Sequence, residues 1–463
     1  MKSRKVCILF LILLLIFPTI VSANSGPTYW QGYPSWETMA IDENSPIVVN
    51  GEELVFDFSE GEHLDYRVSG DVTATYQMKN PTDKELTVQM GFPFVGSLLS
   101  KEDDIKIRID QEEIPYELYI GGDVKEQGLT NSENTSESYD FEGIISSIRK
   151  EPYEAEIFKE NERGKLYSID INPPEDQKIK LAISFSYEAD QTKILANDFN
   201  SVERDGEKMR VGVWCNKPTT LEIYVLGEDI DFDLGAYTDG ELQNEVDFSN
   251  YSIKTQEVEL RTYLFDYISK IANPEFNEAI SVDQLYNFYA RELDIAFKRN
   301  GGFASEGDLL ANNYEGIFVI VYIVDFPPNT EKEIKVNYKT TTTMDRSKTP
   351  DPIYIVDYIL NPAQYWDSFQ DLNIKVIPSE ELPYIVSSNM DFQRKDNIYK
   401  VKFEELPKED LTFTLYNKEK ITLIDKTVGN FNRYFGYFTP IVVGIFVLIL
   451  IFAMLKTIRK KIR

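Results

Sequence analysis

Between Asp71 and Phe94 polar and apolar residues change places at almost every step, and no other feature of the 463-residue chain constrains its fold so tightly. Only a strand sends successive side chains to opposite faces, so a period of two requires β-structure with one buried face. Val72, Ala74, Tyr76 and Met78 alternate with Asp71, Thr73, Thr75 and Gln77; after a polar stretch, Leu86, Val88, Met90, Phe92 and Phe94 resume the pattern. The spacing predicts a two-stranded hairpin, turned by Pro81 and Asp83, whose second strand leaves the ladder at Pro93.

The same grammar returns at residues 166–189 and 317–340, where Pro173-Pro174 and Pro327-Pro328 stand between strands carrying Ile-Lys-Leu and Ile-Lys-Val. Either two similar β domains or one hairpin type used twice accounts for the recurrence. Further short strands are expected at 54–58, 105–109, 211–215, 221–226, 353–360, 372–377, 398–403 and 411–415. Many short strands between polar turns indicate antiparallel β-sandwiches. One helical region interrupts them. Ser281 with Gln284 reads as a capping box, Leu285, Phe288, Tyr289 and Leu293 form an apolar stripe at helical spacing, and Gly301 is the stop.

The two ends read differently. Lys2, Arg4 and Lys5 precede an apolar run and the small residues Val21-Ser22-Ala23, the form of a secretory signal peptide cut after Ala23. Residues 434–455 carry no charge over a length that crosses a hydrocarbon core as a helix. Lys456, Arg459, Lys460, Lys461 and Arg463 follow, and such a cluster stays cytoplasmic. The expected order is a leader 1–23, an N-terminal β-sandwich region 24–260 with a mobile acidic loop at 121–140, a helical segment 261–315 and a C-terminal β region 316–430. A membrane helix 434–455 and a basic tail 456–463 complete it. The fold class is mainly β (α+β), antiparallel β-sandwich domains plus a single C-terminal transmembrane helix, with the N-terminal ectodomain outside a cell membrane.

Charge then narrows the partners. Removing the three cations of the leader and the five of the tail takes the formal net charge from −29 to −37 for the exterior. Such a surface repels nucleic acid and other polyanions. Beyond the leader stand one cysteine, Cys215, between apolar strand residues, and one histidine, His63, in an acidic turn. Zinc sites and nucleophile–histidine triads need more than these two residues supply, and no phosphate-binding glycine loop precedes a helix.

Two groups remain as candidate sites. Tyr29, Trp30, Tyr33 and Trp36 cluster near the expected mature N-terminus, and exposed rings of these types dominate partner recognition. Asp229, Asp231 and Asp233 have the opening spacing of a calcium loop, but Leu234 stands where the loop needs glycine and Gly240 where it needs glutamate. Their alternation with Ile230, Phe232 and Leu234 describes a strand with one wet face, offering weak Ca2+ binding at most. No catalytic residue and no other cofactor emerges; abundant carboxylates keep open a hydrolase acting on wall or extracellular glycans.

The stretch from Ser45 to Phe94, with Asn80, Thr82, Asp83 and Lys84 at its turn and Phe92-Pro93 at its close, resembles the opening of an uncharacterised family of secreted bacterial envelope proteins. Tyr358, Leu360 and Trp366 match its carboxyl-terminal region. Locally, Asn80 to Pro93 is also similar to a hairpin of the vault/inter-alpha-trypsin domain, a β-sandwich interaction module. Neither resemblance brings catalytic residues. The sequence therefore points to a membrane-anchored, non-catalytic interaction module whose partner is another envelope protein or a wall polymer.

Overall fold

The computed structural model describes residues 29–41, 45–61, 63, 64, 66–96, 105–123, 144, 145, 148, 151–174, 178–271, 280–310, 316–435, 444, 448 and 451. The leader, the basic tail, the acidic loop beyond residue 123 and nearly all of the expected membrane helix lie outside these residues. Among the described residues no helix is long and apolar enough to cross a membrane.

The alternation is real, but the hairpin is not. Arg67–Lys79 buries Val68, Val72, Ala74, Tyr76 and Met78 on one face, yet it does not pair with Leu86–Gly96. Its neighbours are Val48–Asp57 and Glu331–Thr341, whereas Leu86–Gly96 pairs with Gly316–Phe326 and Met39–Ala40. The chain therefore crosses from one sheet to another at residues 80–85, and the two apolar faces meet across the core instead of lying side by side. The other two expected hairpins correct in the same way. Arg163–Ile171 and Ile179–Ser186 lie in different sheets, as do Gly316–Phe326 and Glu331–Thr341. Periodicity reports which face is buried and is silent on the partner.

Two of these arches lie against each other along their whole length. Lys79 stands opposite Glu331 and Ser69 opposite Thr341 in one sheet, while Leu86 faces Phe326 and Gly96 faces Gly316 in the other. Their turns consequently meet, and Asn80, fully buried, clasps them together. Its backbone N–H donates to the Thr330 carbonyl at 3.0 Å, and its Nδ2 donates to Lys84 O at 2.7 Å and, at 3.1 Å each, to Phe326 O and Pro327 O. Its Oδ1 accepts from the backbone N–H and the hydroxyl of Thr82. Asn329, at φ 54°, returns a bond from its own N–H to Thr82 O.

A large sheet runs in the order Gln393–Lys395, Ile398–Glu405, Ser368–Ile377, Val48–Asp57, Arg67–Lys79, Glu331–Thr341, Lys106–Ile109, Glu112–Ile114. It is antiparallel apart from the pairing of Ser368–Ile377 with Val48–Asp57. Two smaller sheets pack on it. One holds Leu86–Gly96 and Gly316–Phe326; the other is built on Ile353–Ile359 and Leu411–Tyr416. The junctions are aromatic: Phe92 meets Tyr338 at 4.8 Å between centroids, and Phe56 meets Tyr358 and Phe413 edge-on at 5.5 Å. All three sheets mix strands from before residue 123 with strands from after residue 316, so the expected N- and C-terminal β regions are interleaved.

Between those limits lies a second sandwich with its own core. One sheet contains Arg163–Ile171 and Thr219–Gly227, the other Ile179–Ser186 and Lys208–Cys215. Ile169, Leu181, Val211, Ile223 and Cys215 are enclosed between them. Two helices, Leu260–Ile271 and Val282–Arg299, fill the joint with the first core. The Ser281 hydroxyl accepts from Gln284 N at 3.2 Å as expected of the cap, and Gly301, at φ 57°, follows the helix. Leu285, Phe288, Tyr289 and Leu293 are buried in the main core. Tyr263 stacks on Tyr224 of the second sandwich at 4.4 Å, while Arg291 donates to Gly121 O of the first.

Candidate functional site

The structure separates the four N-terminal aromatics. Trp36 is fully buried and Tyr33 half-buried, both against the sheet containing Leu86–Gly96. Tyr29 and Trp30 form an exposed edge strand on Thr343–Asp345. Trp30 is stacked with Tyr66 at 6.3 Å and lies 5.3 Å from the Arg67 guanidinium. Outward rings thus come from this segment, but only half of the expected set contributes.

The three aspartates do not converge. Asp229 accepts from Lys165 Nζ and the Tyr167 hydroxyl, each at 2.5 Å. Burial pushes its carboxyl up, but these two bonds prevail and hold it below the ordinary range. Asp231 and Asp233 point to solvent. Among the described residues no group of three or more His, Cys, Asp or Glu side chains is gathered to hold a metal. His63 lies in a two-residue strand on Arg67 and Val68. Cys215 is buried, and burial raises its thiol, as befits a packing residue.

Sequence reasoning missed the strongest electrostatic feature, a carboxyl pair inside the core. Glu37 sits where the chain passes from Ser35–Trp36 to Met39–Ala40, with its backbone N–H bonded to Ile359 O at 3.0 Å. Glu52 lies on Val48–Asp57 just after a register shift between Val49 and Gly51. That shift resets the alternation, so Glu52 faces inward with Leu54 and Phe56. Their exposures are 0 % and 2 %. The Tyr76 hydroxyl donates to Glu37 Oε2 at 2.5 Å, and the buried hydroxyls of Tyr322, Tyr338 and Tyr358 surround the pair. Counting back by twos from Phe58 was the available signal; nothing comparable marked Glu37.

Burial pushes Glu37 up to about 7, against the hydrogen bonds of Tyr76, Glu52 and Tyr358 that favour its charged form. Glu52 is raised well above its ordinary value by burial and then by the charge of Glu37. No lysine or arginine is among the groups acting on either. Two adjacent anions in such a medium are too costly to coexist, so the bare pair keeps at least one proton. Close carboxyls of unequal affinity are what glycan hydrolysis needs, but these are sealed under Trp36 and Tyr358, both 0 % exposed. A sugar ring has no way to reach them.

An accessible recess lies elsewhere, on the outer side of the large sheet. A groove of about 1010 Å³ is lined by Lys375, Lys400, Lys402 and Lys408 with Glu53, Asp391 and Glu409. Lys375 stands directly opposite Lys400 in the antiparallel pairing of Ser368–Ile377 with Ile398–Glu405. Facing like charges are unfavourable in a sheet. Lys402 is offset by Asp371 at 2.8 Å. One rim is fixed by Asn389, whose Nδ2 donates to Asp410 O at 2.6 Å and whose Oδ1 accepts from Thr412 N at 2.9 Å.

No family model matches the chain. No curated protein matches it either. Among solved structures, a provisionally named nutrient binding protein from Legionella pneumophila subsp. pneumophila is similar at 10 % identity and a TM-score of 0.35, over 84 % of this chain and 73 % of that one.

Proposed function

We propose that this protein is a non-catalytic binding module of the bacterial envelope, held to the membrane by its C-terminal apolar run, with the lysine-lined groove as its ligand seat. The observation that carries this reading is the division of labour between buried and exposed groups. The carboxyl pair suited to acid–base chemistry is sealed, while the recess open to solvent holds facing lysines on a rigid sheet. An anionic group placed between Lys375 and Lys400 relieves their repulsion, and both offer it charge-assisted hydrogen bonds. The rest of the surface, in a chain of net charge −29, repels long polyanions and so favours a short acidic segment of another envelope protein over a wall polymer. Membrane attachment is supported by the charge-free run 434–455 and the cations behind it.

The test is capture of neighbours by crosslinking in the native membrane, comparing the natural chain with the double variant Lys375→Glu/Lys400→Glu. One protein should be captured by the natural chain and lost from the variant, which remains folded because both side chains face outward. Equal capture by both chains would move the binding surface elsewhere, with Tyr29 and Trp30 the next segment to alter. Capture of wall polymer alone would overturn the protein-partner reading.

A further inference from the structure

Buried polar atoms normally find partners, and where several fail to do so in one place an ion or water is the usual reason. Around the carboxyl pair, Glu37 Oε1, both oxygens of Glu52, Thr38 Oγ1 and the hydroxyls of Tyr322, Tyr338 and Tyr358 have no partner that meets hydrogen-bond geometry. They are nevertheless close neighbours: Glu52 and Tyr358 both act on Glu37, Tyr358 acts on Tyr338, and Thr38 acts on Tyr322. Glu37 and Thr38 share one segment, but Glu52, Tyr322, Tyr338 and Tyr358 each come from a different strand of the three packed sheets, so the cluster is assembled only in the folded chain.

We propose that the Glu37–Glu52 pair, enclosed by Tyr338 and Tyr358, is a structural site for one hard divalent cation of the calcium class. Every available donor is an oxygen, which selects hard cations over zinc or copper. Two carboxylates match the charge of one such ion, and the groups facing them supply no competing cation: Tyr76 from Arg67–Lys79, Tyr322 from Gly316–Phe326, Tyr338 from Glu331–Thr341 and Tyr358 from Ile353–Ile359. Once the ion displaces the proton that Glu52 shares with Glu37, the Glu52 carboxylate can bind through both oxygens, as calcium prefers. Glu37 keeps its bond from Tyr76 and offers its second oxygen. The ion would tie the segment 35–40 to the large sheet. This site is independent of the groove, so its failure leaves the binding-module reading intact.

The experiment strips the full chain with a chelator, in detergent, and follows thermal unfolding as calcium is returned. Terbium luminescence excited through tyrosine serves as the direct probe. One terbium per chain, a Tm that rises with calcium, and loss of both responses in Glu52→Gln are expected. Glu37→Gln, which can still accept from Tyr76, provides a second variant should the first not fold. Asp231→Asn/Asp233→Asn should leave both responses unchanged. A Tm indifferent to calcium overturns the proposal, as does a terbium signal that survives both glutamine variants or disappears with the aspartate pair.

Discussion

Asn80 reaches the backbones of two arches at once: its side chain bonds Lys84, Phe326 and Pro327 carbonyls, and its own turn hangs on Thr82. Replacing it with alanine leaves buried carbonyls without donors, each worth roughly 1–3 kcal/mol when orphaned. Asn80→Ala should therefore lower the unfolding free energy by about 3 kcal/mol in urea titrations, and a loss within experimental scatter would remove the clasp from the account. A second prediction concerns the carboxyl pair in chelator. Glu37 binds its proton more tightly folded, near 7, than at its ordinary value of 4.5. The native state then holds more protons than the unfolded state between those values. Stability should be full below about pH 4.5 and fall by up to roughly 1.4 kcal/mol per unit as pH rises toward 7. Glu37→Gln should reduce that slope when unfolding is followed from pH 4.5 to 7; an unchanged slope would place the titrating group elsewhere. The asparagine was legible as a turn residue, and its bridging role was not, because its partners lie almost 250 residues away.

At the level of elements, the sequence revealed strands and their buried faces from alternation alone, and the capped helix from Ser281, Gln284 and Gly301. It misassigned connectivity three times. A turn that folds a strand back beside its predecessor and one that lifts it into the opposite sheet carry the same apolar pattern on either side. The two geometries differ in which outward residues are neighbours. Thr75 stands opposite Lys335 in the arch, whereas a hairpin turned near residues 80–85 with both apolar sets on one face would bring Thr75 opposite Gln89. Cβ atoms of directly opposed strand residues lie about 5 Å apart. The pair Thr75→Cys/Lys335→Cys should crosslink on mild oxidation, and Thr75→Cys/Gln89→Cys should not. The reverse outcome, read by peptide mapping, would restore the hairpin. The bulge between Val49 and Gly51 hid Glu52 for a related reason: one inserted residue shifts the phase, and the two halves of the strand must be read separately.

In the whole molecule, strands from both ends of the chain interleave in three sheets, and a second sandwich is carried between them on two helices. Composition indicated an acidic β-rich chain without metal or nucleophile clusters, but charge totals could not locate the lysine-lined groove, which depends on the cross-strand register of Lys375 and Lys400. The division between a sealed carboxyl pair and an open lysine groove is what the binding-module account rests on. The most direct measurement places a photo-crosslinking residue at Lys402, inside the groove, and irradiates the full chain in its own membrane, with and without Lys375→Glu/Lys400→Glu. The account predicts one crosslinked envelope protein, joined through an acidic segment and absent when both lysines are reversed. A groove that crosslinks to nothing at native density, or to the same protein regardless of the two lysines, would contradict it.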